Sequence, residues 1–147
     1  MSTAAPHPGA SPLLEVSDLE VRFETPGGIV RAVDGASLSL TAGETLAIVG
    51  ESGCGKSTLA RAIMGIERPR AGQLRFAGRV IPAGGRERRA LARVLQLIFQ
   101  DPDASLNPRA SIGSAIAEPL IIHRRELSRL ERHRAVEGLL RRVGIDP

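Results

Sequence analysis

The chain has 147 residues, the size of one domain, and its hydrophobic content of 42% and charged content of 24% are typical of a globular protein. The formal net charge is only +4, so the sequence pI of about 10.8 reflects arginines that stay charged at high pH rather than a large charge excess. Aromatic residues make up 2%, which excludes a surface of stacking platforms for single-stranded nucleic acid, and we expect no nucleic-acid partner.

The cellular location is indicated by the cysteine count and by the apolar segments. Cys54 is the only cysteine, which excludes an intrachain disulfide and favours a reducing compartment. The segment 1–12 is rich in Pro, Ala and Ser, lacks the apolar stretch of a signal peptide, and predicts a disordered tail. No apolar run approaches the ~20 residues that span a bilayer, so we expect a cytoplasmic protein that reaches a membrane only through a partner.

The first part of the chain alternates between apolar and polar residues. Residues 13–23 predict a strand, a turn and a second strand, and 25–28 (TPGG) predict a turn. The segment 30–40 alternates again, and its Asp34-Gly35 pair is a hairpin signal. This section therefore predicts an antiparallel sheet that leads into a parallel one.

A glycine-rich segment, GESGCGKST at 50–58, fits the phosphate-loop pattern G-x-x-x-x-G-K-[ST]. Its predicted context is a buried parallel strand at 45–49 before the loop and a helix at 57–64 after it. Lys56 is the only lysine among 20 basic residues, and a compact ammonium fits a tight phosphate loop where the wide fork of arginine does not. The sequence therefore predicts a site for a nucleoside triphosphate.

The chemistry of this loop assigns roles to its residues. Lys56 would reach the β- and γ-phosphates, and the Ser57 hydroxyl would ligate Mg²⁺. Cys54 stands at a variable position of the pattern, and we interpret it as a small loop residue without a redox role. The residues predicted to bind nucleotide here are Gly50, Glu51, Ser52, Gly53, Cys54, Gly55, Lys56, Ser57 and Thr58.

Short elements follow the phosphate loop. Residues 73–76 predict a strand, 77–78 and 83–85 predict turns, and 86–93 predict a short basic helix with a solvated face. Residues 94–99 (VLQLIF) predict a second apolar strand.

The last third of the chain predicts a loop and helices. Residues 100–109 (QDPDASLNPR) predict an irregular loop. Ser111 is expected to cap a helix that runs to Glu118 and that Pro119 kinks or restarts. Residues 126–143 predict a further helix that ends at Gly144, and we interpret His123 and His133 as surface residues.

Two strings carry a family resemblance: GESGCGKSTLAR, and LIFQDPDASLNPR about forty residues later. Together they resemble the ATP-binding subunits of ABC importers, and more narrowly the dipeptide/oligopeptide/nickel branch. AVDGASLSLTAGETLAIVG before the loop and IAEPL after it extend the likeness over 13–147. The resemblance implies an α/β fold: a P-loop NTPase of the ABC nucleotide-binding type, with an antiparallel β subdomain, a Q-loop and the start of a helical subdomain.

The resemblance also implies roles outside the phosphate loop. Phe23 stands where an aromatic that stacks on adenine is expected; the alternative is a plain residue of the strand core. Gln100 opens the Q-loop, where its side chain would reach Mg²⁺ and the attacking water; the alternative is a polar strand end. The implied cofactors are ATP and Mg²⁺, with Ser57 and Gln100 as the metal ligands. The implied partners are transmembrane subunits, contacted through the region after Gln100, and a second ATP-binding subunit.

The family's later motifs are missing from the 147 residues: an LSGGQ-type signature, a Walker B strand ending in Asp-Glu, a D-loop and a switch histidine. We therefore expect the N-terminal part of an importer ATPase on the inner face of the plasma membrane, without catalytic residues of its own. The alternative is a non-catalytic remnant that binds nucleotide weakly or not at all. A kinase or GTPase is disfavoured by the Q-loop string, and the N-K-x-D guanine motif is excluded in a chain whose one lysine is in the loop.

Overall fold

The structure is a computed structural model that describes residues 11–99 and 106–146. It divides into two compact units, Met1–Leu97 and Ile98–Pro147. Nearly all of the predicted tail and the predicted site residue Gln100 lie outside the described residues.

The first unit contains a four-stranded antiparallel sheet with the order β2-β1-β3-β4. Its strands are β1 (Leu14–Thr25), β2 (Gly28–Leu40), β3 (Ala71–Phe76) and β4 (Arg79–Ile81). The predicted antiparallel sheet at the front of the chain is confirmed. The predicted strand at 73–76 is confirmed as part of β3. Sequence reasoning missed β4, because three residues are too few for an alternation to be recognised.

The hairpin of β1 and β2 turns at Pro26–Gly27, as the TPGG signal predicted. The predicted turn inside 13–23 is wrong. Asp18 takes a positive φ of 49° and shifts the register, but β1 continues in the same direction. β1 is paired on both sides, with β2 and with β3, and this pairing holds the strand straight through the irregularity.

The Asp34-Gly35 pair does not form a hairpin. Val33 and Ala36, on either side of it, both still pair with β1, so the two residues form an irregularity within one long strand. Gly35 supplies the positive φ of 68° that this irregularity needs. An Asp-Gly pair can occur in a turn or in a bulge. Here the pairing with β1 on both sides of it produces a bulge.

An aliphatic core lies between this sheet and the helix α1 (Lys56–Met64), with a contribution from α2 (Arg86–Leu91). Leu59 and Ala62 of α1 are buried, and the helix ends at Met64 with Gly65 as its C-cap, which confirms the helix predicted at 57–64. Each fully buried aliphatic side chain contributes about 1.5–3 kcal/mol of transfer free energy. The buried core residues are Leu14, Val16, Leu19, Val21, Val33, Leu59, Ala62, Leu74 and Leu91.

Two further strand predictions are wrong. The segments 45–49 and 94–99 do not form strands among the described residues. Val49 is 88% exposed and Ile98 is 94% exposed. A parallel strand is stabilised by ladder partners and by covered faces. Within the described parts of the chain neither segment has such a partner, so neither apolar run forms a strand.

The second unit contains the helices α3 (Ile112–His123) and α4 (Arg129–Arg142), which pack on each other. The predicted cap of α3 is confirmed, since Ser111 Oγ accepts a hydrogen bond from the backbone N–H of Ser114 at 3.2 Å. The helix continues through Pro119 to His123. α4 begins at a capping box formed by Ser128 and Glu131, slightly later than predicted.

The surface of the second unit carries charged and apolar side chains. On α4, His133 Nε2 lies 3.3 Å from Glu137 Oε1, and the His133 side chain is 71% exposed, which confirms it as a surface residue. On α3, Ile112, Ile121 and Ile122 are exposed. Among the helices that the structure describes, none has both the length and the apolar character needed to cross a membrane.

Candidate phosphate-binding site

The glycines of the loop allow its backbone to fold where other residues would be strained. Gly53 has a φ of 81°, and Gly55, the residue before α1, has a φ of 96°. Both values lie in the left-handed region that L side chains rarely adopt. Gly55 is a defining position of the pattern, which there corresponds to a real backbone requirement, whereas Gly53 meets the same requirement at a variable position.

At two glycines an added side chain would meet a close neighbour, and at Gly55 that neighbour is backbone. A Cβ on Gly50 would stand 2.7 Å from Cys54 Sγ, on the opposite side of the loop. A Cβ on Gly55 would stand 2.0 Å from the carbonyl oxygen of Ala32 in β2. The loop therefore closes on itself and presses its backbone against the backbone of the edge strand.

The Lys56 ammonium lies in the mouth of this loop. Its Nζ donates hydrogen bonds to the carbonyl oxygens of Gly50 at 2.8 Å and Glu51 at 2.6 Å, and it lies 3.6 Å from Cys54 Sγ. These partners are neutral groups. An anion that enters the loop would offer the ammonium charge-assisted hydrogen bonds, which are roughly twice as strong as neutral ones.

A cavity of about 290 Å³ opens beside the ammonium. Ser57 and Thr58 contribute from the first turn of α1, where the helix dipole favours negative charge and hydroxyl oxygens suit a hard cation such as Mg²⁺. The donor set therefore fits a phosphate chain and its metal ion. The lining residues are Val30, Arg31, Ala32, Gly53, Cys54, Gly55, Lys56, Ser57 and Thr58.

Arg31 is a member of this lining that sequence reasoning missed. Its guanidinium Nη1 lies 3.7 Å from Asp34 Oδ2, and both side chains are 59% exposed. Nothing local in the sequence distinguishes it from the other arginines. It reaches the cavity because the loop packs against β2, where Gly55 approaches Ala32. This tertiary contact is not visible in the sequence.

Phe23 lies one strand away from the cavity. In the ladder it pairs with Val30, which lines the cavity. The ring is half-buried and packs on the aliphatic core. Phe23 therefore lies close to the cavity, and its packing on the core agrees with the alternative interpretation of Phe23 as a residue of the strand core. The other predicted site residue outside the loop, Gln100, lies beyond the described residues.

A larger cavity of about 430 Å³ lies behind the loop. It is bounded by β2 on one side and by Leu46–Val49 on the other, and it reaches Cys54 and Leu59. Its lining is mostly small and aliphatic. The smaller cavity, which has the ammonium, the hydroxyls and the helix N-terminus, is therefore the better match for a phosphate chain.

The far end of α1 is held by an arginine. Arg88 of α2 donates hydrogen bonds through Nη2 to the carbonyl oxygens of Ala62, at 2.5 Å, and Ile63, at 2.6 Å. Burial lowers the pKa of its guanidinium, and its Nε is buried without a hydrogen-bond partner among the described residues. The predicted solvated face of this basic helix is therefore wrong at Arg88, which compensates the C-terminal dipole of α1.

Comparison with known proteins identifies a family. The family model described as ABC transporter matches residues 33–147. The di/tripeptide transport ATP-binding protein DppF of Pseudomonas aeruginosa is 48% identical over 142 residues, which are 92% of this chain and 44% of that protein. The oligopeptide transport ATP-binding protein OppF of Escherichia coli is 44% identical over 95% of this chain and 45% of its own. The chain thus spans less than half the length of these relatives.

Solved structures show the same fold. The chain matches cbiO1 of Clostridium perfringens, part of the ABC transporter complex cbiONQ, with a TM-score of 0.65 and 29% identity over 91% of this chain and 51% of that one. It also matches the ATP-binding cassette MJ0796 bound to ADP and Pi, with a TM-score of 0.71 and 22% identity over 87% of this chain and 56% of that one. The expected nucleotide-binding fold is therefore confirmed.

Proposed function

Because this chain belongs to the ABC transporter family, we propose that it binds Mg-ATP in the loop at 50–58 as the nucleotide-binding part of a transporter's ATP-binding subunit. The observation that carries the proposal is the position of Lys56. Its ammonium lies in a glycine-walled loop, bonded only to neutral partners in the described structure, beside a cavity lined by hydroxyls and a helix N-terminus.

Binding follows from an exchange of partners at Lys56. The β- and γ-phosphates would replace the carbonyl oxygens of Gly50 and Glu51 as acceptors for the ammonium. The backbone N–H groups at the start of α1 and of the loop before it would hold the phosphate oxygens. Ser57 would hold Mg²⁺, which neutralises charge on the phosphates when it is bound.

The two predicted residues outside the loop complete the proposed site. Phe23 would contact the adenine, and its pairing with Val30 at the cavity supports this placement. Gln100 would reach the metal ion and orient the attacking water, a proposal that rests on its sequence context alone. The domain assignment made from the sequence, with one nucleotide-binding domain over 13–147, also stays a proposal.

The biological role proposed is the energising of peptide or related solute import. The names of the relatives, which are transport proteins for di/tripeptides and oligopeptides, support this class of cargo. We propose that the region after Gln100 contacts membrane-embedded subunits, and the exposed, adjacent Ile121 and Ile122 of α3 offer apolar side chains for that contact. We also propose that the chain pairs with a second ATP-binding subunit and that it is located at the inner face of the plasma membrane.

The experiment is calorimetric titration of the full chain with Mg-ATP. We expect Lys56→Ala to weaken binding by at least tenfold, since a charge-assisted contact to phosphate is worth about 1.5–3 kcal/mol. Lys56→Arg should also bind weakly, because a wide planar guanidinium does not reproduce the compact ammonium that bonds the carbonyl oxygens of Gly50 and Glu51. Arg79→Ala, on the sheet edge farthest from β2, is the charge-matched control. Equal affinities for Lys56→Ala and the control would overturn the assignment.

A phosphate-release measurement on the same protein separates hydrolysis from binding alone. Release that Lys56→Ala abolishes would establish an ATPase. Binding without release would favour the non-catalytic alternative.

A further inference from the structure

We propose that Arg31 is a second phosphate-binding residue of this site and that it holds the α-phosphate of the nucleotide. The inference rests on the proposed function, because it needs a nucleotide in the loop. It adds a residue that lies outside the loop motif and on a different element, the edge strand β2.

The first observation is the backbone arrangement that brings Arg31 to the cavity. The register of β1 and β2 shifts between the pairs Val21–Val33 and Arg22–Arg31, so Ala32 has no ladder partner on β1. Register shifts of this kind re-aim neighbouring side chains and are frequent beside functional sites. The carbonyl of this same Ala32 abuts Gly55, and Arg31 therefore lines the cavity with Lys56.

The second observation is the charge around the cavity. Arg31 pairs in the ladder with Arg22, and directly opposed like charges in a sheet are destabilising. Arg22 is held by Glu20 at 2.6 Å, whereas the one ion pair of Arg31 with a described residue is the long 3.7 Å contact to exposed Asp34. The placement of Arg31 therefore adds positive charge to a cavity that already contains Lys56, an arrangement that a multiply charged anion would stabilise.

The third observation is the order of groups along the site. Lys56 lies at the loop, where the β- and γ-phosphates are expected. Phe23, where the adenine is proposed, pairs in the ladder with Val30, which lines the same cavity as Lys56. Arg31 follows Val30 in the chain and also lines this cavity, so we place it between the two proposed ends of the nucleotide. The α-phosphate is the anionic group that lies between them, and a guanidinium binds phosphate oxygens in a bidentate manner.

The test compares three ligands, Mg-ATP, AMP and adenosine, by calorimetry on the full chain. Arg31→Gln should weaken ATP and AMP by a similar factor, about fivefold to tenfold for a partly exposed contact, and leave adenosine unchanged. Arg31→Lys should recover part of the loss, since it keeps the charge but not the fork. Lys56→Ala should weaken ATP strongly and AMP little. Arg79→Gln, with the same charge change on β4, should bind all three ligands as the original protein does.

The outcomes separate the two proposals. If Lys56→Ala weakens ATP while Arg31→Gln and Arg31→Lys bind ATP and AMP normally, the role of Arg31 is overturned and the proposed function stands. A loss at Arg31→Gln that extends equally to adenosine, or that spares AMP, also overturns the α-phosphate assignment. If the original protein binds no nucleotide, both proposals fail together. Thermal unfolding of each variant shows whether it is folded. If Arg31→Gln does not fold, the binding comparison is made with Arg31→Lys instead.

Discussion

Gly55 and Ala32 are in backbone-to-backbone contact: a Cβ on Gly55 would stand 2.0 Å from the carbonyl oxygen of Ala32. The contact joins the loop residue that directly precedes α1 to the edge strand of the sheet. It also makes β2 a wall of the candidate site, although β2 contains no part of the loop motif. The position of the loop is therefore set by the sheet as well as by α1.

We predict that Gly55→Ala destabilises the chain and abolishes ATP binding. The φ of 96° costs an L residue about 1–2 kcal/mol, and the contact with Ala32 adds to that cost because one backbone must move. Denaturant unfolding and ATP titration measure the two effects. Gly84→Ala is the matched control, since a Cβ there meets nothing within 4 Å. A Gly55→Ala variant that matched the control in both measurements would contradict the described contact.

Arg88 gives a prediction about stability. Arg88→Met should lower the free energy of unfolding by about 1–2 kcal/mol, because it removes a charged donor from the carbonyl oxygens of Ala62 and Ile63. Met keeps much of the apolar stem, so the difference reports mainly on the guanidinium. Arg79→Met, at an exposed position, should stay within about 0.5 kcal/mol of the original chain. Equal stability of the two variants would show that Arg88 does not hold α1.

The capping box of α4 gives a prediction about pH. Hydrogen bonds from the side chain and from the backbone N–H of Ser128 hold the pKa of Glu131 below its ordinary value. A lowered folded-state pKa means that the stabilisation is fully present above the unfolded pKa, about 4.3, and is lost as the pH falls through the lower folded value. Glu131→Gln should therefore flatten the acid side of the stability profile. Circular dichroism from pH 6 downward measures this; parallel curves for the two proteins would refute it.

Local chemistry made some of the structure predictable. The phosphate loop was found because glycine is needed at particular backbone angles and lysine in a narrow mouth, and both requirements are visible in spacing. Ser111 was found as a cap because a hydroxyl before an apolar run satisfies a helix N–H. The hairpin at TPGG was found for the same kind of reason, since its turn is specified by adjacent residues.

The errors arose where a distant partner decides the outcome. Asp34-Gly35 forms an irregularity rather than a turn because β1 continues to pair on both sides of it. The apolar segment at 45–49 was taken for a strand, but a strand exists only with a ladder partner. Arg31 and Arg88 were indistinguishable from the other arginines in the sequence, and only the packing of β2 and α1 gives them partners.

The single lysine makes the candidate site chemically addressable. Reagents that acylate amines at neutral pH find one side-chain target in this sequence, and that target is Lys56, in the mouth of the loop. Every adduct on a lysine peptide therefore maps to the same position, and a bound nucleotide would shield it. Mass spectrometry of the labelled protein can thus record the occupied fraction directly, without an engineered tag and without any background from lysines elsewhere on the surface.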